Sequence, residues 1–255
     1  MWARLLLITL LLGNAATAFA DPAEDDMPSE LRFAVIADVP STTLALELLR
    51  TAYDQLGINV VTRLVPSRRA LLMADIGEVD GDLFRIADVG DQYPNLVRVP
   101  YPLLEGRLHA VTNNPGLVGL QSLGQLTTTD LRVAVRRGVI VAEQTAEALG
   151  MTPVRTDSYA QILAMLEWGR VDLALVSGIE GFSPLNDNAW DSVYVFPEAV
   201  TDFTLYHYLH RRHAGLAAPL ARVLEQLEQN GEKARILERL SVGTGAGERV
   251  PDNPE

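Results

Sequence analysis

The sequence predicts an α/β fold of two similar lobes, because two stretches of it resemble each other. Residues 67–80 and 158–172 each read as a capped amphipathic helix, a glycine stop and a Val-Asp pair that leads into a strand. The copies lie too far apart to be a solenoid repeat. Helices also alternate with strands on both sides of each copy, as in βαβ units. Two such lobes leave a cleft between them, where small ligands commonly bind.

The first lobe is predicted to open with a βαβ unit. A strand over 31–37 leads to a helix with Ser41 as its N-cap. Apolar residues recur in that helix at the spacing of a buried face, and Gly57 ends it before a strand over 58–65. The first repeat copy follows. The further predicted strands of this lobe cover 83–86, 96–99 and 108–112.

The second lobe is predicted to repeat the plan, with strands over 130–137, 171–176 and 193–196 and helices over 139–149 and 158–168. A strand over 202–210 then returns to the first lobe, followed by helices over 214–240. The predicted organisation is a signal peptide at 1–20, a first lobe at 27–112 plus 202–240, a second lobe at 113–201, and a mobile tail at 241–255. We expect the two crossover strands near 111–116 and 199–204.

The first twenty residues predict export through a cleavable signal peptide. Arg4 precedes an apolar run, and Ala18-Phe19-Ala20 has the small-residue pattern of a cleavage site. Removing this leader leaves 20 basic and 33 acidic residues, a formal charge of −13, which disfavours nucleic-acid partners. The chain has no cysteine, which excludes disulfides, thiol catalysis and a cysteine-linked lipid anchor. We therefore expect a free periplasmic protein, monomeric and without a cofactor.

Five segments follow one another in a recognisable order: the turn at 77–80, the segment 99–101, the strand and glycine at 131–138, the turn at 169–172 and the segment 224–238. Together they resemble bacterial extracellular solute-binding proteins of family 3, the polar-amino-acid type of ABC transporters. The resemblance covers most of residues 31–240. It implies a two-lobed periplasmic-binding-protein fold of the second type, with two crossover strands, that closes on a small polar or anionic solute by hinge motion. The implied partner is an ABC-transporter permease or a membrane sensor.

The chain departs from this family at both ends of the usual amino-acid clamp. Family members hold the ligand carboxylate with an arginine about nine residues before the Pro-Tyr pair, where this chain has Asp91. They often bind the ligand α-ammonium with an acidic residue at the end of the second-lobe strand. At that place this chain has Ser177 and Gly178, and Glu180 lies just beyond. Because arginine suits a carboxylate, Arg69 and Arg85 are the candidate replacements.

Ligands of open α/β sheets bind beyond the carboxyl ends of the strands, and this rule selects the other candidates. The predicted ligand-binding residues are Asp38, Ser41, Arg69, Arg85, Tyr101, Gly138, Val139 and Ser177. Structural roles compete for several of them. Arg69 fits a solvated helical turn, Asp38 fits a turn cap, and Arg85 fits an ion pair with Asp82 or Asp88.

No metal site is expected. His207, His210 and His213 recur every three residues, but the first two belong to a predicted strand and would point to opposite faces.

Three functions remain open at this point. The first is a receptor that carries a solute to a transporter or sensor. The second is a periplasmic enzyme on the same fold, similar to cyclohexadienyl dehydratases, although the only lysine, Lys233, lies in the terminal helices and no nucleophile–base arrangement is evident. The third is a protein-interaction module whose cleft binds no ligand. We favour the receptor and expect no enzymatic activity.

Overall fold

A computed structural model describes residues 27–36, 39–127, 130–179 and 182–243. The predicted signal peptide, Asp38, Glu180 and most of the predicted tail lie outside the described residues.

The strands are β1 (Glu30–Val35), β2 (Asn59–Leu64), β3 (Gly81–Arg85), β4 (Leu96–Arg98), β5 (Leu104–Thr112), β6 (Val133–Arg136), β7 (Pro153–Thr156), β8 (Leu173–Gly178), β9 (Tyr194–Val195) and β10 (Thr201–His210). The α-helices are α1 (Ser41–Asp54), α2 (Ser67–Asp75), α3 (Val89–Gln92), α4 (Ile140–Ala148), α5 (Tyr159–Glu167), α6 (Ala217–Gln229) and α7 (Glu232–Gly243). The predicted α/β class is confirmed. Strand β7 and helix α3 have no counterpart in the sequence prediction.

The strands form two lobes joined through one long strand. The order along the sheet is β2-β1-β3-β10-β5-β8-β6-β7, with β4 beside β10 and β9 beside β5. β1, β2 and β3 are mutually parallel, as are β6, β7 and β8, because a helix connects each successive pair within these groups. We call the strands β1, β2, β3 and β4 with their part of β10 the first sheet. The strands β5, β6, β7, β8 and β9 with the other part of β10 are the second sheet.

The chain crosses twice between the sheets. In β10, Thr201–Leu205 pair with β5, whereas 206–210 pair with β3 and β4. This crossing adjoins the predicted one at 199–204. The prediction that the other crossing lies near 111–116 is wrong. All of β5 (Leu104–Thr112) lies in the second sheet, where it pairs with β8, β9 and β10. Strand β5 starts four residues earlier than predicted, because backbone pairing with β10 extends it through its polar first half. The lobe limits at 112–113 and 201–202 stay a prediction, although strand pairing groups 104–112 with the second lobe.

Helices α2 and α5 are the two predicted repeat helices, and both end at a glycine in the left-handed conformation. Gly77 has a φ of 77° and Gly169 a φ of 60°, values that side-chain-bearing residues rarely adopt. The helix starts differ. Ser158 caps α5 by accepting a hydrogen bond from the backbone N–H of Gln161 at 3.1 Å, as predicted. Pro66 precedes α2 and gives no side-chain cap.

Ser41 was predicted to be the N-cap of α1, and this is wrong. Pro40 occupies the cap position, and Ser41 is the first residue of the helix, 6% exposed. The helix therefore starts one residue earlier than predicted, because the fixed φ of Pro40, here −53°, already suits helical geometry.

The two Val-Asp turns use their aspartates in the same way. Oδ2 of Asp80 accepts the backbone N–H of Arg32 at 2.8 Å, and Oδ2 of Asp172 accepts that of Arg132 at 3.0 Å. Each aspartate also accepts hydrogen bonds from a guanidinium, that of Arg212 in the first lobe and that of Arg132 in the second. The turn therefore ties each repeat helix to the first strand of its lobe.

Apolar side chains bury both faces of each sheet. One cluster packs α1 and α6 on the first sheet, and another packs α2 on its opposite side. Two further clusters pack α4 and α5 on the second sheet. Ile140, the first residue of α4, packs against the α2 cluster, so the lobes touch through an apolar contact.

Candidate functional site

A cavity of about 60 Å³ lies between the two lobes. Five of the eight predicted site residues line it: Ser41 and Arg85 from the first lobe, and Gly138, Val139 and Ser177 from the second. Arg85 ends β3, Gly138 follows β6, and Ser177 lies near the end of β8. The cavity is therefore placed beyond the carboxyl ends of strands from both lobes, where ligands of α/β sheets bind.

Arg85 is buried and has an internal counter-ion. Its Nη2 lies 2.8 Å from Oδ2 of Asp82, and the two side chains are 5% and 2% exposed. Burial raises the pKa of the Asp82 carboxyl, against the opposing effect of Arg85. One of the two roles considered for Arg85, the ion pair with Asp82, is therefore present. Ligand contact by Arg85 stays a prediction, and its position on the cavity wall permits that contact.

The second lobe contributes a hydroxyl pair and the start of a helix. The hydroxyls of Ser177 and Tyr159 lie 2.9 Å apart, and burial raises the pKa of Tyr159, so this hydroxyl stays protonated at neutral pH. The backbone N–H of Gly138 donates to Oε1 of Glu143 at 2.6 Å, and Glu143 also accepts a hydrogen bond from Arg155 at 2.7 Å. These contacts fix the first turn of α4 against the cavity.

Two predicted site residues lie elsewhere in the described structure. Arg69 is exposed on α2 and does not line the cavity. Tyr101 is 9% exposed, and its hydroxyl donates to Oε2 of Glu228 in α6. Lys233 Nζ lies 5.3 Å from the centre of the Tyr101 ring. Burial, followed by the hydrogen bond to Glu228, raises the pKa of Tyr101. Tyr101 thus joins the terminal helices to the first lobe.

Most of the cavity wall is apolar, which sequence reasoning missed. Phe84 and Ile86 line it from the first lobe, Ile140 from the second, and Phe203 and Leu205 from the crossover strand β10. In the sequence these residues belong to ordinary apolar runs, which favour core packing. No local signal separates an apolar residue that faces a cavity from one that faces the core.

A second, wider groove of about 780 Å³ adjoins the cavity. It is polar and is lined by Glu105, Arg107 and His109 of β5 and by Asp202 and Thr204 of β10. These residues alternate along their strands with core residues, so they occupy the opposite strand faces. Since the groove takes its walls from β5, the first half of β10 and residues within 178–179 and 183–186, it does not join the carboxyl ends of both sheets. We therefore take the inter-lobe cavity as the candidate site.

Among the described residues, no group of three or more His, Asp or Glu side chains could hold a metal ion. His207 is buried, and its ring contacts the Tyr53 hydroxyl and the Leu83 carbonyl oxygen, at 2.9 and 3.0 Å. In the described part of the chain, no helix is both long enough and apolar enough to span a lipid bilayer.

No family model matches the chain. An uncharacterized protein of Shewanella oneidensis is 33% identical over 189 residues, which cover 72% of this chain and 71% of that protein. This level of identity and coverage shows common family membership.

Solved structures with similar folds come from proteins of different kinds. The amino acid ABC transporter substrate-binding protein AbpA of Streptococcus pneumoniae, bound to L-arginine, has a TM-score of 0.67 and 14% identity and covers 84% of this chain and 94% of its own. A histidine kinase sensor domain has a TM-score of 0.67 and 18% identity, covering 83% and 96%. The ancestral amino-acid-binding protein AncCDT-1, a precursor of cyclohexadienyl dehydratase, has a TM-score of 0.65 and 17% identity, covering 83% and 95%. This chain therefore has the two-lobed fold of the amino-acid ABC transporter substrate-binding proteins, and it belongs to one family with the uncharacterized Shewanella protein.

Proposed function

We propose that this protein is a periplasmic solute receptor that closes its two lobes on a small amino-acid-like or carboxylate solute. The cavity between the lobes carries the proposal, because each lobe contributes the carboxyl ends of its strands to one shared space. The solute would be bound by both lobes at once, so that binding favours the closed arrangement.

The inter-lobe contact supports closure as the working motion. Ile140 of the second lobe packs against apolar side chains of the first, and within the described ranges only the segments before β5 and within β10 pass between the sheets. Two covalent connections permit a hinge, while an apolar contact of this kind can form and break as a unit.

The proposed partner is a membrane protein that reads the closed form, either an ABC-transporter permease or a sensor. The fold serves both roles among the similar structures, in AbpA and in the histidine kinase sensor domain. We propose no catalytic step. Arg85 is the one charged side chain on the described cavity wall, and Asp82 already engages it.

A thermal-shift screen of the purified protein against amino acids, small carboxylates, polyamines and oligopeptides tests the receptor function. A solute at 100 times its dissociation constant adds about 2.7 kcal/mol to native stability, enough to raise the melting temperature measurably. Ser177→Phe should abolish the shift because it fills the cavity. Ser192→Phe is the matched control, since Ser192 is exposed and does not line the cavity. A response to no solute, or an equal response in Ser177→Phe, would contradict the proposal.

A further inference from the structure

The side chains of the cavity wall indicate which chemical class of solute the cavity binds. This inference rests on the proposed receptor function and concerns the same cavity. In the part of the wall that the structure describes, an apolar lining from both lobes is combined with one buried cation, Arg85.

The apolar lining surrounds the cavity. Phe84 and Ile86 contribute from the first lobe, Ile140 from the second, and Phe203 and Leu205 from the crossover strand. Burying an uncharged hydrocarbon group against such a wall is favourable in proportion to the apolar surface removed from water. Burying a charged group there costs several kcal/mol unless a partner compensates it.

Among the described residues of the wall, no side chain carries a negative charge that could pair with a cationic side chain of the solute. The Asp82 carboxylate lies 2.8 Å from Arg85 Nη2 and is buried behind it. A solute guanidinium or ammonium at the cavity would therefore meet the Arg85 cation, whose counter-ion is already engaged. The small volume, about 60 Å³, further restricts the enclosed part of the solute.

We infer that the solute is a small carboxylic or amino acid with an uncharged aliphatic or aromatic side chain, and that the cavity rejects cationic side chains. The apolar side chain lies against Phe84, Ile140 and Phe203, and the polar end faces Arg85 and Ser177. This receptor thus differs in solute class from AbpA, which was solved with L-arginine bound.

Isothermal titration of the purified protein with matched solutes tests this inference. The probes are L-leucine, L-phenylalanine and 4-methylpentanoate on one side and L-arginine, L-lysine and L-glutamate on the other. At least one of the three probes with an apolar side chain should bind at least ten-fold more tightly than each of the three probes with a charged side chain. L-leucine and 4-methylpentanoate share one carbon skeleton, so their ratio measures what the amino group contributes.

A variant pair shows whether the selectivity comes from the wall. Ile140→Asp places a carboxylate on the wall and should weaken binding of the apolar probe at least ten-fold. An acidic residue is favourable in the first turn of a helix, so this variant should keep its fold. Val118→Asp, at an exposed position with 53% relative exposure, should leave binding unchanged.

Two outcomes would overturn the inference in distinguishable ways. If arginine, lysine or glutamate binds as tightly as the apolar probes and Ser177→Phe abolishes that binding, the receptor function stands and the solute class is wrong. If none of the probes or the wider solute panel binds, both proposals fail together.

Discussion

The two copies of the repeat agree at the aspartate that follows each repeat helix and differ at the residues that face the cavity. Counting 92 residues on from the first copy, Asp80 corresponds to Asp172, and both aspartates accept the backbone N–H of the first strand of their lobe. By the same count Asp82 corresponds to Ala174 and Arg85 to Ser177. Both Arg85 and Ser177 line the cavity, one from each lobe. The two copies thus differ at the wall of the cavity and agree at the aspartate that joins each repeat helix to its sheet.

The cores of the lobes differ in a similar way. The first lobe buries His207 at 0% exposure, against the rings of Phe33 and Tyr53. The second lobe packs mainly aliphatic side chains on both sides of its sheet. Among the described residues, the buried Asp, Arg and His side chains are Asp82, Arg85 and His207 in the first lobe and Arg136 in the second. Buried ionisable groups therefore affect the stability of the first lobe at more positions, and the following predictions test this difference.

Breaking the buried pair of the first lobe should have the largest effect. Asp82→Ala leaves the Arg85 guanidinium buried without its carboxylate, and we expect a loss of about 3–5 kcal/mol in the free energy of unfolding. The double variant Asp82→Ala with Arg85→Met should recover most of this loss, because it removes both charges. Urea unfolding followed by circular dichroism measures both values. A loss below about 1 kcal/mol in the single variant would show that the pair is not a structural requirement.

Acidification should weaken the first lobe through His207. Burial lowers the pKa of this imidazole from 6.5 to about 4, despite favourable backbone contacts. Between these pH values the unfolded chain binds a proton that the folded chain does not. This contribution to stability is therefore complete above the unfolded pKa and falls as pH drops from 6.5 to about 4, by up to about 3 kcal/mol. Unfolding free energies measured across this range should show the slope.

The variant His207→Gln isolates this titration from the rest of the protein. The amide can hydrogen-bond but does not titrate, so the stability of the variant should change less between pH 6.5 and 4 than that of the parent protein. Equal slopes in the two proteins would show that His207 does not govern the acid response.

The corresponding aspartates of the two turns should differ in importance. Burial is the largest single influence on the pKa of Asp80 and raises it, but hydrogen bonds from Arg32, Arg212 and His213 together outweigh burial and lower the pKa. For Asp172, the hydrogen bond from Arg132, whose side chain is 55% exposed, is the main cause of a lowered pKa. We expect Asp80→Asn to cost about 2 kcal/mol and Asp172→Asn at most about 1, because solvent weakens an exposed pair.

The pH dependence of the two aspartate variants gives an independent check. Since both carboxyl pKa values are lowered by folding, their contribution is present above the ordinary aspartate pKa and is lost as pH falls through it towards the folded value. The Asp80→Asn protein should therefore lose less stability than its parent when the pH is lowered from about 5 to 3. A larger effect of Asp172→Asn than of Asp80→Asn would reverse the expected order.

The helix caps should give the smallest difference. Ser158→Ala removes the cap of α5 and should cost about 1 kcal/mol, whereas Pro66→Ser offers α2 a cap it lacks and should add about 0.5 kcal/mol. Thermal unfolding of both variants measures the two changes. A stabilised Ser158→Ala protein would contradict the capping role.

The sequence alone determined the features that depend on neighbouring residues. The glycine stops at Gly77 and Gly169, the cap at Ser158 and the strands after each Val-Asp pair follow from local geometry and periodicity. The rule that ligands bind beyond the strand ends also selected Ser41, Arg85, Gly138, Val139 and Ser177, which share one cavity in the structure.

Only the tertiary structure decided which distant residues meet. Tyr101 turns to Glu228, 127 residues further along the chain, and Leu104–Thr112 joins the second sheet because it pairs with β8 and β10. Arg69 was open to two roles in the sequence, ligand contact or a solvated helical turn, and the structure places it exposed on α2 and away from the cavity. The physical reason is that strand pairing and helix packing depend on contacts between residues far apart in the sequence. The apolar pattern that drives this packing is also the same whether a residue lines the core or the cavity.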